Sequence, residues 1–276
     1  MARNPDSSQP RRTPPTRAAG FTLTELLVVC GLVVILSSLV VPVVGKARAA
    51  ANTTRCLSNL RQMGNAWSMY TAGHYGYLMG HTWRVPTVPD LAWHIYWPGM
   101  LERYGAQGEV SMCPTAREPI PTAASSGYGT ASYAWSGRYV SNGTAIKLTA
   151  TQFRDGSYGM NRYLTAGNGF GENGLANKVT AVRRTCEVPL FMDCAWLDAQ
   201  PDNGDAASPI DPPPNLRGDQ ITAVTPEHWN FLLARHGRGI NVCFADGSAR
   251  WVRLEDTYNM TWNARWKPYS IPLPAN

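Results

Sequence analysis

The chain has 276 residues, 44% of them hydrophobic and 16% charged, with 25 glycines and 21 prolines; this excludes a coiled coil or a disordered tail and leaves room for one large domain or two small ones. Its formal charge of +6 argues against a nucleic-acid partner once it is located, because Arg3, Arg11, Arg12 and Arg17 against Asp6 put half of it in the first twenty residues. The remainder holds no Lys/Arg cluster interleaved with aromatic side chains, so no nucleic acid is expected to bind.

After the basic, proline-rich leader comes the apolar run 26–44, whose polar interruptions are Ser37 and Ser38. As a helix rising about 1.5 Å per residue it approaches the roughly 30 Å of bilayer hydrocarbon, so it is long enough to span a membrane. A secretory signal has a shorter apolar core followed by a small-residue cleavage site. Here the small residues Ala18-Ala19-Gly20 precede the run, and helical sequence follows it. A plain anchor accounts for the length but not for Glu25, because a carboxylate facing lipid costs roughly 2.5–3.5 kcal/mol near the bilayer centre. One offset is local: Thr22-x-x-Glu25 matches a capping box, in which the glutamate takes an orphan backbone N–H at the helix start.

Gly20 followed by Phe21-Thr22-Leu23-Thr24-Glu25 and an unbroken apolar helix resembles the class III signal of type IV prepilins and type II secretion pseudopilins. The resemblance implies that a prepilin peptidase cuts between Gly20 and Phe21 and methylates the new Phe21 amine, while the helix stays with the mature protein. It also implies a role for Glu25, which would offset the α-amino group of a neighbouring subunit as a filament assembles. Such a charge acts as a register device, since losing one partner strands the other in an apolar bundle. Pro42 falls where many pilins carry a helix-loosening proline, which removes one helix hydrogen bond and permits a bend. The implied localisation is the bacterial inner membrane, single-pass, with a cytoplasmic N-terminus and a periplasmic head. Arg11, Arg12 and Arg17 favour that orientation, although Lys46 and Arg48 dilute the bias.

Past Lys46, Cys56, Leu60, Met63, Trp67 and Tyr70 follow one another at spacings of 4, 3, 4 and 3, which makes one apolar stripe on a helix. A single helix is therefore expected from about residue 22 to about residue 70, ended by Gly73 and Gly76. The expected organisation is a leader (1–20), a transmembrane and filament-core helix (21–45), an amphipathic continuation (46–72) and an α+β head (73–276). Strand-like pieces occur at 188–193, 240–245 and 249–254, and the segments 119–143 and 201–226 read as long loops. The fold class expected is α+β, a long N-terminal helix packed on a C-terminal antiparallel sheet with long loops.

Six cysteines occupy positions 30, 56, 113, 186, 194 and 243, and none has a partner at C-x-x-C spacing, so a structural zinc is not expected. If the head lies outside the cytoplasm, Cys56 with Cys113 is the first candidate disulfide, and Cys186, Cys194 and Cys243 compete for a second. The alternative is that they are small buried thiols.

In the stretch RHGRGINVCFADGSARWVRL, Ile240, Val242 and Phe244 alternate with polar or small residues, and Asp246-Gly247 reads as the positive-φ pair of a two-residue hairpin turn. His236, nine residues and then Asp246-Gly247 resemble the prepilin-type processing-associated H-X9-DG proteins, a pseudopilin-like group. The segments CLSNLRQMGNAWSMY from Cys56, Met112-Cys113-Pro114, SYGMN from Ser157 and PLFMDC from Pro189 carry the same resemblance. The chain departs from the group at Ser248, where a histidine is frequent. Two readings of His236 stay open. Its imidazole hydrogen-bonds a backbone group and fixes the hairpin, or it joins Asp246 and Asp193 in a metal-binding cluster. Some pseudopilins bind Ca2+ in a C-terminal loop, although calcium takes about six to eight oxygen ligands and histidine suits it poorly.

An enzyme is not expected: there is no G-x-S-x-G elbow and no H-E-x-x-H, and the five histidines do not recur at helical ligand spacing. The function implied is a pilin-like subunit that polymerises with copies of itself or with other pilin-like subunits. The alternative is an anchored envelope module that carries a prepilin leader, does not polymerise, and binds carbohydrate or protein through tryptophans such as Trp83, Trp93, Trp97, Trp262 and Trp266. Exposure of a coplanar pair of these rings would favour it, whereas buried rings would favour scaffolding.

Overall fold

A computed structural model describes residues 21–80, 97–119, 127–136, 155–166, 177–201, 211–222 and 225–274. The chain divides into two compact units, Met1–Ala47 and Arg48–Asn276. A helix of 51 residues, α1 (Leu23–Gly73), runs through the boundary and through Pro42. Its start is the expected capping box. Glu25 Oε2 accepts from the Thr22 N–H at 2.9 Å and from the Thr22 hydroxyl at 2.7 Å, and the Glu25 N–H donates to Thr22 Oγ1 at 3.3 Å. Its end lies three residues past the expected limit. Tyr75 takes a left-handed conformation (φ 53°), and the Gly76 N–H closes back on the Thr71 carbonyl at 2.7 Å, a Schellman closure.

The two halves of α1 have different surroundings. In the first unit every described side chain is exposed, and the segment has a mean hydropathy of 2.9 over an 18-residue window. Among the described residues one helix is thus long and apolar enough to cross a membrane. In the second unit the stripe Cys56, Leu60, Met63 and Trp67 is buried, together with Gly64 and Ala66. The expected stripe extends to Tyr70, which is half-buried and stacks on His74 with ring centroids 4.0 Å apart.

The head is built on a five-stranded sheet of β3 (Tyr158–Asn161), β4 (Pro189–Asp193), β5 (Asp198–Ala199), β6 (Gly239–Phe244) and β7 (Ala249–Arg253), preceded by a two-stranded pair, β1 (Trp135–Ser136) with β2 (Asp155–Gly156). The spatial order is β5-β3-β4-β6-β7. The sheet is mixed rather than wholly antiparallel, because β3 and β5 pair in parallel, Met160 beside Asp198. A short helix, α2 (Trp97–Glu102), packs Trp97 against Phe191. The segment 119–143, expected to be loop, contributes β1, and the residues described within 201–226 carry neither strand nor α-helix.

Two hydrophobic layers cover the sheet, so the central strands β4 and β6 are buried along their whole length. Strand alternation assigns the side chains of β6 and, past an irregularity between Pro189 and Phe191 that puts Leu190 and Phe191 in one layer, those of β4. Ile240, Val242 and Phe244 join the layer of Met192, Phe231, Tyr258, Trp262 and Trp266, while Phe191 and Cys243 join α1. The bulky residues of β6 thus face away from α1, and the small ones let the helix approach closely. The hairpin joining β6 and β7 differs from the expected two-residue turn. Only Gly247 has a positive φ (84°), the Gly247 N–H donates to the Phe244 carbonyl at 2.9 Å, and the Phe244 N–H to the Ser248 carbonyl at 2.8 Å. This is a three-residue loop, a type I turn followed by a left-handed glycine. Asp246 stabilises it by accepting from the Ser248 N–H at 2.9 Å and its hydroxyl at 2.7 Å.

Candidate functional site

Side chains from four separated segments meet where α1 crosses β3 and β4. Cys56 comes from the buried stripe of α1, and Thr53 lies one turn before it. Cys113 follows the 3-10 turn Gly108–Ser111, Asp193 ends β4, and His236 precedes β6. Each of Cys56, Cys113, Asp193 and His236 offers one ligand-type atom, and these four atoms lie within 4.8 Å of one another. Cys56, Cys113 and Asp193 are fully buried, and the His236 side chain is 2% exposed.

Hydrogen bonds fix each member. His236 Nε2 lies 3.3 Å from the Cys113 sulfur and 3.4 Å from Asp193 Oδ2, while Nδ1 is 3.1 Å from the Thr53 hydroxyl. Asp193 Oδ2 accepts from the Asn241 N–H at 2.7 Å, and Oδ1 faces Arg235 Nη1 at 3.5 Å. The Tyr158 hydroxyl donates to the Cys56 sulfur at 3.2 Å, and the Asn59 amide reaches back to that hydroxyl and to the Met112 carbonyl. Tyr158 is the cross-strand neighbour of Asp193, so pairing in the sheet places both on the face under α1. The guanidinium of Arg235 is completely buried and also donates to the Ser157, Thr130 and Cys194 carbonyls.

Burial opposes charge throughout this cluster, and local partners overcome it at three positions. Burial raises the Asp193 carboxyl, but the His236 hydrogen bond and charge, with Arg235 behind them, leave it below its ordinary value. Burial lowers His236, yet Asp193 and Cys113 lift it to about 9. Burial raises Cys113, and hydrogen bonds from Cys56 and His236 bring it down to about 6. Cys56 moves the other way, because burial pushes it up and its hydrogen bond with Cys113 adds to the rise. The cluster thus sets the acidic groups Asp193, Cys56 and Cys113 against the basic His236, with the Arg235 guanidinium behind Asp193.

The structure brings together Asp193 and His236, and it leaves Asp246 exposed in the hairpin loop, bonded to Ser248. The metal-type cluster is thus not the expected Asp193, His236 and Asp246. Two thiols and one carboxylate also make it a poor match for Ca2+, which needs an oxygen cage. Cys56 and Cys113, the first disulfide candidates, lie side by side as thiols; among their rivals Cys194 and Cys243 are buried and Cys186 is exposed. The spacing argument missed this constellation because each cysteine comes from a different element. The one signal available was that Cys56, Cys113, Asp193 and His236 each sit inside a separate segment resembling the same group.

At the other end of the chain, Phe21 is 75% exposed and Glu25 is engaged by Thr22. Gly20 and the leader lie outside the described residues. Of the tryptophans singled out, Trp97, Trp262 and Trp266 are buried, and Trp83 and Trp93 lie outside the described residues.

A long apolar N-terminal helix whose distal part packs on a C-terminal mixed sheet is a pilin-like architecture, α+β in class. No protein-family model, no curated protein and no solved structure matches the chain.

Proposed function

We propose that this chain is a prepilin-like subunit, cut after Gly20, N-methylated at Phe21, and assembled through α1 into a pseudopilus or a type IV-like fibre. The observation that carries this reading is the exposure of the first half of α1. From Leu23 to Val44 its large apolar side chains are 48–79% exposed on all sides of the helix. A helix apolar all round needs cover from lipid or from other helices, and nothing described in its own fold supplies it. Lipid covers it before assembly, and copies of α1 cover it in the fibre. Glu25 then exchanges its local Thr22 partner for the methylated Phe21 amine of a neighbour. The head, held by the Cys56–Trp67 stripe, forms the outer surface facing the periplasm.

The anchored binding module draws less support. Among the described residues Trp262 and Trp266 form a tilted, buried pair, 6.2 Å between centroids, which serves the core rather than a sugar or a protein ligand. The test is the mass of the mature N-terminus in protein taken from its native envelope, together with filament yield in a Glu25→Val variant. A methylated Phe21 start and loss of filaments are expected. Protein that begins upstream of Gly20 in every molecule would overturn the reading, and correct processing with no filament under any condition would leave the anchored module in its place.

A further inference from the structure

We propose that Cys56, Cys113, Asp193 and His236 form a closed, tetrahedral structural site for a borderline-soft divalent cation of the zinc class, which fastens the second half of α1 to the head. This goes beyond the filament reading and does not rest on it, since all four ligands belong to the Arg48–Asn276 unit.

The donor set comes first. Two sulfurs, one imidazole and one carboxylate suit zinc, and they are the wrong donors for magnesium or calcium. Geometry follows. Zinc–sulfur bonds of about 2.3 Å and zinc–nitrogen or –oxygen bonds of about 2.0–2.1 Å give a tetrahedron with edges of roughly 3.3–3.8 Å. The two edges at His236 Nε2 are 3.3 Å to Cys113 and 3.4 Å to Asp193. The second of these is long for a charge-assisted hydrogen bond, which is ordinarily about 2.7–2.9 Å, and it fits a ligand-to-ligand edge better.

An outer set of partners also fits. Thr53 takes the imidazole nitrogen that faces away from the site, Tyr158 donates to Cys56, and Asn241 and Arg235 hold the two carboxylate oxygens. Such partners orient metal ligands and fix the histidine tautomer. Charge closes as well. A dication with two thiolates and one carboxylate carries one net negative charge, and the fully buried Arg235 guanidinium beside Asp193 cancels it.

Two rival uses of the same residues fit worse. In a cysteine–histidine–aspartate nucleophile the acid holds the ring nitrogen opposite the sulfur; here Asp193 and Cys113 face the same nitrogen, and Thr53 takes the other. A Cys56–Cys113 disulfide would turn the sulfur 3.3 Å from His236 Nε2 into a neutral, weakly accepting one, and leave both sulfurs beside a buried imidazole and carboxylate for which they have no use.

The full-length chain, purified in detergent under reducing, metal-free conditions, is titrated with Co2+ and then with Zn2+. One cobalt per chain, with tetrahedral visible bands and sulfur-to-cobalt charge transfer, displaced by zinc and accompanied by a rise in Tm, is the expected result. Cys56→Ser and Cys113→Ser each abolish the charge-transfer signal. Tyr158→Phe and Thr53→Val keep all four ligands and weaken cobalt affinity about 10- to 100-fold, so they carry the test if a cysteine variant fails to fold. Absence of cobalt binding by the folded, reduced chain overturns the proposal. So does affinity unchanged in both Tyr158→Phe and Thr53→Val, or a Cys56–Cys113 disulfide in protein whose thiols were blocked on extraction from the native envelope. The mass of the N-terminus, read on the same extracted protein, reports processing separately.

Discussion

Gly64 of α1 faces Cys243 of β6 so closely that a Cβ at position 64 would lie 2.7 Å from the Cys243 sulfur. A glycine inside a helix costs about 1 kcal/mol relative to alanine, so the close approach of helix and sheet must be worth more than that. Gly64→Ala gains the propensity but forces the sulfur aside in a packed core, and overpacking of that kind costs about 1–3 kcal/mol. A net loss of stability is expected. Cys243→Ala removes the obstacle, and in that background Gly64→Ala becomes neutral or stabilising. Chemical denaturation of the four species measures the coupling; simple additivity would show that the contact is not what requires glycine.

Tyr75 presents the opposite case, a side chain where glycine would serve better. It is 89% exposed and holds the left-handed position of the α1 terminus at φ 53°. A non-glycine residue in that conformation costs roughly 1–2 kcal/mol, and the exposed ring recovers little of it. Tyr75→Gly should therefore raise stability by about 1 kcal/mol with the helix unchanged, read as a higher denaturation midpoint with the same slope. A fall in the midpoint would mean that the ring is packed in a way its exposure does not suggest.

Elements with strong periodicity were legible, and those defined by partners were not. The 3.6-residue stripe from Cys56 to Trp67 made α1 legible, since one covered face leaves a pattern in the chain, and β6 was legible because its bulky residues Ile240, Val242 and Phe244 all fall on one of its two buried faces, with small or polar residues on the other. Strand β3 carries no such pattern. Tyr158–Asn161 is buried on both faces, and the glycine within it is required because a Cβ at Gly159 would meet the Trp196 carbonyl oxygen at 2.6 Å. Strand β5 has two residues and exists only through its parallel pairing with β3. Asp193 and His236 were legible as a pair, whereas the two thiols completing the cluster reach it through tertiary packing, which sequence spacing does not record. Asp246 was assigned by its motif rather than its position, at the far end of a strand from His236.

The 3-10 turn that follows β7 (Leu254–Asn259) and the C-terminal segment meet at Arg238, which lies just before β6; its Nε is bonded to Glu255 and its Nη1 donates to the Pro274 carbonyl at 3.0 Å. Burial would raise the Glu255 carboxyl, but Arg238, by hydrogen bond and charge, holds it below the ordinary 4.5. A depressed folded value means that the pair's contribution is complete above 4.5 and disappears as pH falls through the folded value. Both side chains are more than a third exposed, so solvent screening keeps that contribution to well under about 1 kcal/mol. Glu255→Gln should lower stability slightly at pH 7 and make no difference in acid. A gap between variant and parent that widened below pH 4 would have the wrong sign.

Glu25 has two possible partners, the Thr22 cap within its own chain and the amine of another, and two substitutions separate them. Glu25→Gln retains an amide oxygen able to accept from the Thr22 N–H but carries no charge. Thr22→Ala removes the hydroxyl that bonds Glu25 at 2.7 Å and leaves the carboxylate in place. If Glu25 is only a helix cap, Thr22→Ala does the greater harm, about 0.5–2 kcal/mol at the helix start, and Glu25→Gln is nearly silent. If the carboxylate meets a buried amine in the fibre, Glu25→Gln strands that amine, and breaking a buried pair in this way costs about 3–5 kcal/mol per contact. Filament yield, measured as sheared fibre against membrane-retained subunit, is then expected to collapse in Glu25→Gln and to stay near the parental level in Thr22→Ala. Both variants should retain the methylated Phe21 terminus. Equal yields in Glu25→Gln and the parent would return Glu25 to the role of a cap and remove the electrostatic basis of assembly.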